Sequence, residues 1–210
     1  VAYASGDYDD ARDRDAEREN VAGIALHDDT GDVYFTDAAA GRVLVANASA
    51  AFAARPIVEG VGGIVSLALW EDYLFVSVPR AATVYRCGLD GAGWTAWVTG
   101  VPGVRGLAAR AKSKKLYLVT PSSLLVTQIH APGSVETVAD GFEFAHHVAV
   151  HPFENAGGVL VSDKNASVIY QLDASGGAAS VVTRHLAPRG LCLPPESPPS
   201  AAATAAADDD

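Results

Sequence analysis

Short apolar runs, each broken by a polar or glycine-bearing turn, recur through the whole interior of the chain. GIALHDDTGDVYFTD (residues 23–37) opens one unit and SLALWEDYLFVS (66–77) a second. GLAARAKSKKLYLVT (106–120) opens a third, HVAVHPFENAGGVLVSD (147–163) a fourth, and GLCL (190–193) begins a fifth. Their matching apolar residues are Ile24, Leu67, Leu107, Val148 and Leu191, spaced 43, 40, 41 and 43 apart. Unrelated helices or loops would not keep that period, whereas a chain of one repeated supersecondary unit must. Each unit divides into four runs of strand length. The first holds residues 24–26, 67–69, 107–109 and 148–150 of the successive units, and the second 33–36, 73–77, 116–120 and 159–162. The third holds 42–46, 83–87, 124–129 and 168–172, and a weaker fourth 56–59, 95–99, 135–139 and 180–184. The connecting DDTGD, LDGAG, HAPGS and DASGG carry the residues that hairpin turns require. Four short antiparallel strands every ~40 residues predict an all-β fold, a β-propeller with four complete blades and the start of a fifth. A β-sandwich would show the turns but has no reason for the period. No helix longer than about three turns fits inside residues 21–193.

Charge separates the ends from this interior. The 210 residues carry a net charge of −10. Net −4 falls in residues 1–20 and net −4 in the tail from Pro195, leaving the interior at −2. The expected organisation is an acidic leader at 1–20, propeller repeats at 21–193 and a disordered Pro/Ala/Asp tail at 194–210. Within the repeats, the blades fall at about 21–62, 63–104, 105–145 and 146–188, with a fifth starting at 189–193. For the leader, a short helix through residues 9–20 is the other reading, since ARDRDAEREN offers i,i+4 charge pairs. The acidity argues against a general nucleic-acid binder, and no apolar run approaches the ~18 residues of a membrane span. The chain starts at Val1 and contains no methionine, so a processed chain or a fragment is expected, with blades missing from the ring.

VYFTD followed by GRVLVAN, and LVSDKNASVIYQLDASG, resemble the six-bladed propellers built from NHL and YWTD repeats. They are also similar to the gluconolactonase, strictosidine-synthase and paraoxonase-like group. The closest local match is VETVADGFEFAHHVAVHP (residues 135–152), which resembles the stretch where that group begins an inner strand with Ala-Asn-Gly. Six blades at this period would take roughly 240 to 280 residues. The Gly-His…Trp-Asp pair of seven-bladed WD40 propellers is missing.

In such a ring the residues just before each inner strand circle one channel mouth. Two positions before the anchor stand Ala22, Val65, Arg105, His146 and Arg189; one position before stand Gly23, Ser66, Gly106, His147 and Gly190. Arg105, His146, His147 and Arg189, with Ser66, are therefore the candidate ligand-binding residues. Two arginines and two histidines at one mouth favour a small carboxylate or phosphate. The arginines would also disfavour the charged imidazoles. The bland alternative is a set of solvated turn residues. The resemblance further implies a divalent cation, usually calcium, held by Asn, Asp and Glu side chains at the channel. Here the expected Asn is His146 and the following Gly is His147, which removes oxygen donors that calcium needs. A transition metal on His146, with Asp163 as a further ligand, is the other possibility. Asp37 and Asp163 end second strands, where a carboxylate commonly accepts hydrogen bonds from the next turn.

Elsewhere the chemistry is sparse. There is no GxSxG elbow, HExxH pair or Walker-type loop. Trp70, Trp94, Trp97 and Tyr85 are expected between blades, and Cys87 and Cys192 as buried thiols. Asn47-Ala-Ser and Asn165-Ala-Ser are glycosylation sequons in predicted turns, competent in a secreted or luminal chain. Two functions follow. One is a binding or scaffold propeller holding a small anion, peptide or glycan at one mouth. The other is a metal-dependent hydrolase of lactones or esters, or a related lyase. Whether the chain is an enzyme stays open on the sequence.

Overall fold

The computed structural model describes residues 21–131, 134–150, 158–173 and 180–184. They form sixteen strands in four sheets. The first sheet is β1 (Val21–Leu26), β2 (Val33–Asp37), β3 (Arg42–Ala46) and β4 (Ala54–Val58). The second is β5 (Ser66–Trp70), β6 (Tyr73–Val78), β7 (Thr83–Gly88) and β8 (Thr95–Thr99). The third is β9 (Gly106–Arg110), β10 (Lys115–Val119), β11 (Ser123–Gln128) and β12 (Glu136–Asp140). The fourth is β13 (Ala145–Val150), β14 (Val159–Asp163), β15 (Val168–Leu172) and β16 (Ser180–Arg184). Every sheet is an antiparallel meander whose strands pair in chain order. Among the described residues the helical content is two single turns, Ala48–Ala50 and Pro79–Ala81. No helix there is long and apolar enough to cross a membrane.

The inner strands β1, β5, β9 and β13 pack in succession, so the four sheets are the blades of a β-propeller. Period-two alternation gives each blade a leading face toward the preceding blade and a trailing face toward the next. Tyr34, Val43, Val45 and Val58 on the trailing face of blade 1 meet Leu67, Leu74 and Val76 on the leading face of blade 2. Ala68, Phe75, Val84 and Val98 then meet Leu107, Leu116 and Leu118 of blade 3. Tyr117, Val119, Leu124 and Val126 meet Val148, Val159 and Val161 of blade 4. These are three cores for four blades. Among the described residues no such core joins blade 4 back to blade 1. Trp70 lies in the second core, Trp97 packs against it, and Tyr85 and Trp94 pack against the first, as the sequence predicts. Cys87 is a buried free thiol, and burial followed by the Asp90 charge pushes its pKa up to about 11.

Buried hydroxyls fix where three of the four inner strands start. Thr36 Oγ1 accepts the Gly23 N–H at 2.8 Å, Ser77 Oγ the Ser66 N–H at 3.0 Å and Ser162 Oγ the His147 N–H at 3.2 Å. In blade 3 the equivalent position is Val119, whose carbonyl accepts the Arg105 N–H at 2.7 Å. The leader, the tail, the fifth unit at residues 189–193 and Cys192 lie outside the described residues.

Candidate functional site

Gly23, Ser66, Gly106 and His147 occupy one register position, the start of each inner strand, with the side chain directed at the next blade. A Cβ built on Gly23 would lie 2.9 Å from the Leu67 nitrogen. At Gly106 it would lie 3.0 Å from His147 Cα and 3.1 Å from the His146 carbonyl oxygen. Glycine at these two positions is therefore what lets the next inner strand approach so closely. At the same level in blade 2, Ser66 Oγ accepts the Leu107 N–H of blade 3 at 3.3 Å. Ser66 is only 2 % exposed, and its hydroxyl joins two blades.

This level of the ring brings Arg105 beside the backbone of the histidine pair. Arg105 directly precedes β9, and Gly106 next to it abuts His146 and His147 at the start of β13. The Arg105 guanidinium carbon lies 5.0 Å from the centroid of the Phe144 ring, in the loop that enters β13. Its Nε is buried without a hydrogen-bond partner, and among the described residues no carboxylate pairs with it. A guanidinium backed by an aromatic face and lacking a counter-charge is a poised anion donor. The inner strand itself is irregular here. Ala145 pairs with Asp163 and His147 with Ser162, so His146 is the extra residue of a β-bulge. Bulges re-aim side chains, which alternation along the sequence does not reveal. The equivalent irregularity in blade 1 lies between Val21 and Ile24, at Ala22.

His147 is half-buried and makes its backbone bond to Ser162. Burial, followed by the charge of His146, lowers its pKa to about 4. The direction matches the expectation from the sequence, but the causes are burial and the neighbouring imidazole in place of the arginines. Because the folded value is below the 6.5 of a free imidazole, the unfolded chain takes up the proton first as pH falls. Stability from this residue is complete above 6.5 and lost as pH falls toward about 4. The loss should be about 1–3 kcal/mol once partial exposure is allowed for. His147→Gln should flatten the dependence of the unfolding free energy on pH in that window; an unchanged slope would refute the assignment.

Asp163 serves the same corner. It is fully buried, and its Oδ2 accepts the Glu143 N–H at 2.7 Å. Its Oδ1 accepts the N–H groups of Phe144 at 3.0 Å and of Asn165 and Ala166 at 3.1 Å each. Asp37 plays the equivalent part in blade 1, accepting the Ala40 N–H at 3.0 Å and pairing with Arg42 at 2.6 Å. The donor set beside Arg105 does not fit calcium, because it offers imidazoles and a guanidinium while the nearby carboxylate is occupied by backbone N–H groups. Among the described residues no three His, Cys, Asp or Glu side chains cluster so as to hold a metal ion. Arg189, the fourth charged candidate, lies outside the described residues. Sequence reading missed Phe144, which carries Arg105; its only sign there was an aromatic residue just ahead of the histidine pair.

No family model and no curated protein matches the chain. Solved structures share its fold. A chain of a nidogen–laminin complex superposes with a TM-score of 0.75 at 15 % identity, covering 81 % of this chain and 67 % of that one. A streptogramin B lyase gives 0.65 at 12 % identity, covering 82 % and 58 %. A catalytically inactive virginiamycin B lyase from Staphylococcus aureus with quinupristin gives 0.65 at 15 %, covering 83 % and 60 %. The chain thus spans under two thirds of the length of these lyases. At such identities the shared property is the propeller fold.

Proposed function

We propose that this propeller is a binding domain whose mouth, at Arg105 and the bulged His146, takes a carboxylate or phosphate group, free or carried by a peptide or glycan. The observation that carries this reading is the Arg105 guanidinium, set over the Phe144 ring with a buried, unpartnered Nε and, among the described residues, no carboxylate in ion-pair contact with it. A buried donor left unmade is costly, so an arriving anion gains more there than at an open surface. A divalent-cation-dependent hydrolase or lyase on the same mouth is the second reading, supported by the lyase structures of like fold. Its metal ligands would come from outside the described residues, and metal analysis of the purified protein separates the two.

Calorimetric titration with inorganic phosphate, acetate and citrate tests the first reading. Arg105→Ala should weaken binding by ~1–3 kcal/mol, the scale of a charged hydrogen bond. Binding indifferent to Arg105, or no binding of any of the three anions, sinks the proposal.

A further inference from the structure

The two outermost blade faces carry the residue pattern of the three internal joints. On the leading face of blade 1, Ile24 is 37 % exposed and Leu26 58 % exposed. The counterparts of Ile24 in the next blades are Leu67 at 4 %, Leu107 at 4 % and Val148 at 1 %. Val33 and Phe35 on the same face are half-buried. At the other end, the trailing face of blade 4 presents Ala149, Leu160 and Ile169, all half-buried. The counterparts of Leu160 (Phe75 and Tyr117) and of Ile169 (Val43, Val84 and Leu124) are fully buried, while Ala149 is half-buried like Ala25 and Ala108 in the closed joints. Each internal joint sets an alanine (Ala25, Ala68 or Ala108) on the inner strand, with large apolar residues behind it, against a row of Leu or Val. Ala149 with Leu160 and Ile169 repeats the first half of that pattern. Ile24 with Leu26 and Phe35 repeats the second.

We propose that the open leading face of blade 1 docks the trailing face of blade 4 of a second copy of this chain, head to tail. The contact continues the interface already made three times within one chain, and it buries side chains that no described blade covers. It joins two different surfaces, so each bound copy leaves one free face of each kind. Assembly therefore proceeds beyond pairs unless the arc closes on itself. His147 shapes the joint. Where blades 1 to 3 carry Gly, Ser and Gly, blade 4 carries an imidazole, so the incoming inner strand stands farther off at the mouth end than at the internal joints.

Sedimentation of the 210-residue chain over a wide concentration range should show association that strengthens with concentration. Leu26→Asp, placed on an exposed residue, should leave the circular dichroism and melting temperature unchanged while weakening association about tenfold or more. Direction is tested by mixing two single-cysteine variants built on a chain in which Cys87 and Cys192 are both replaced by alanine. Ile24→Cys and Ala149→Cys should cross-link with each other under mild oxidation, and neither with itself. A monomer at every concentration overturns the proposal, as does association that Leu26→Asp leaves intact. Self-cross-linking of Ile24→Cys also overturns it, since that shows two leading faces meeting symmetrically.

Discussion

Replacing Asp163 by alanine should cost about 3–5 kcal/mol of stability, because four backbone N–H groups lose their acceptor inside the protein. Two of those donors, on Glu143 and Phe144, belong to the loop that enters β13, and two, on Asn165 and Ala166, to the turn after β14. One fully buried carboxylate thus ties the beginning of blade 4 to its first outer turn. An ionised acceptor strengthens each bond, and its removal leaves donors that water reaches poorly. Asp163→Asn keeps the shape but sets an amide NH2 against N–H donors, so it should recover only part of the loss. Asp37→Ala should cost less, since the side chain of its partner Arg42 is 33 % exposed and can turn to solvent. Urea unfolding with unchanged slope measures all three. A loss below about 1 kcal/mol for Asp163→Ala would show that the carboxylate does not hold this corner. Anion binding supplies a second readout, because Phe144, the platform under Arg105, hangs from the same oxygen.

The repeat was legible because burial acts on every blade at the same register. Ile24, Leu67, Leu107 and Val148 stand on leading faces, and their spacing is the length of chain needed to cross one blade and return. The third strand of blade 1 falls at Arg42–Ala46, as the alternation predicts, and the other runs agree to within a few residues. The turn-locking role of Asp37 and Asp163 was open to the same reasoning, since a carboxylate ending a strand meets the N–H groups of the turn that follows. The site was less legible because it is made between blades. Ser66 reads from the sequence as a mouth residue, yet its hydroxyl is taken up by Leu107, 41 positions along. Arg105 rests on Phe144, and the lowered pKa of His147 comes from burial that no local pattern displays. The bulge at His146 is one extra residue in a strand, and the alternation of apolar positions around it passes over that insertion.

Gly106→Val should destabilise the protein by about 3 kcal/mol, because the joint between blades 3 and 4 is closed by backbone and cannot yield cheaply. The first carbon of any side chain there would sit 3.0 Å from His147 Cα and 3.1 Å from both the His146 oxygen and the Val148 nitrogen. None of those atoms is the end of a flexible side chain, so the two inner strands must separate. Alanine adds the first carbon alone and should cost less than valine, whose branches meet the same backbone. Serine is informative, because Ser66 fills this position in blade 2 and its Oγ accepts an N–H from the next strand. Gly106→Ser should therefore be milder than valine if the joint can open to the spacing between blades 2 and 3. Each variant also moves Arg105 relative to the histidine pair, so anion affinity should fall in the same order as stability. Chemical unfolding and phosphate titration on the three variants give both series. Stability that falls from alanine to valine while phosphate affinity stays constant would separate the joint from the site and place the anion elsewhere.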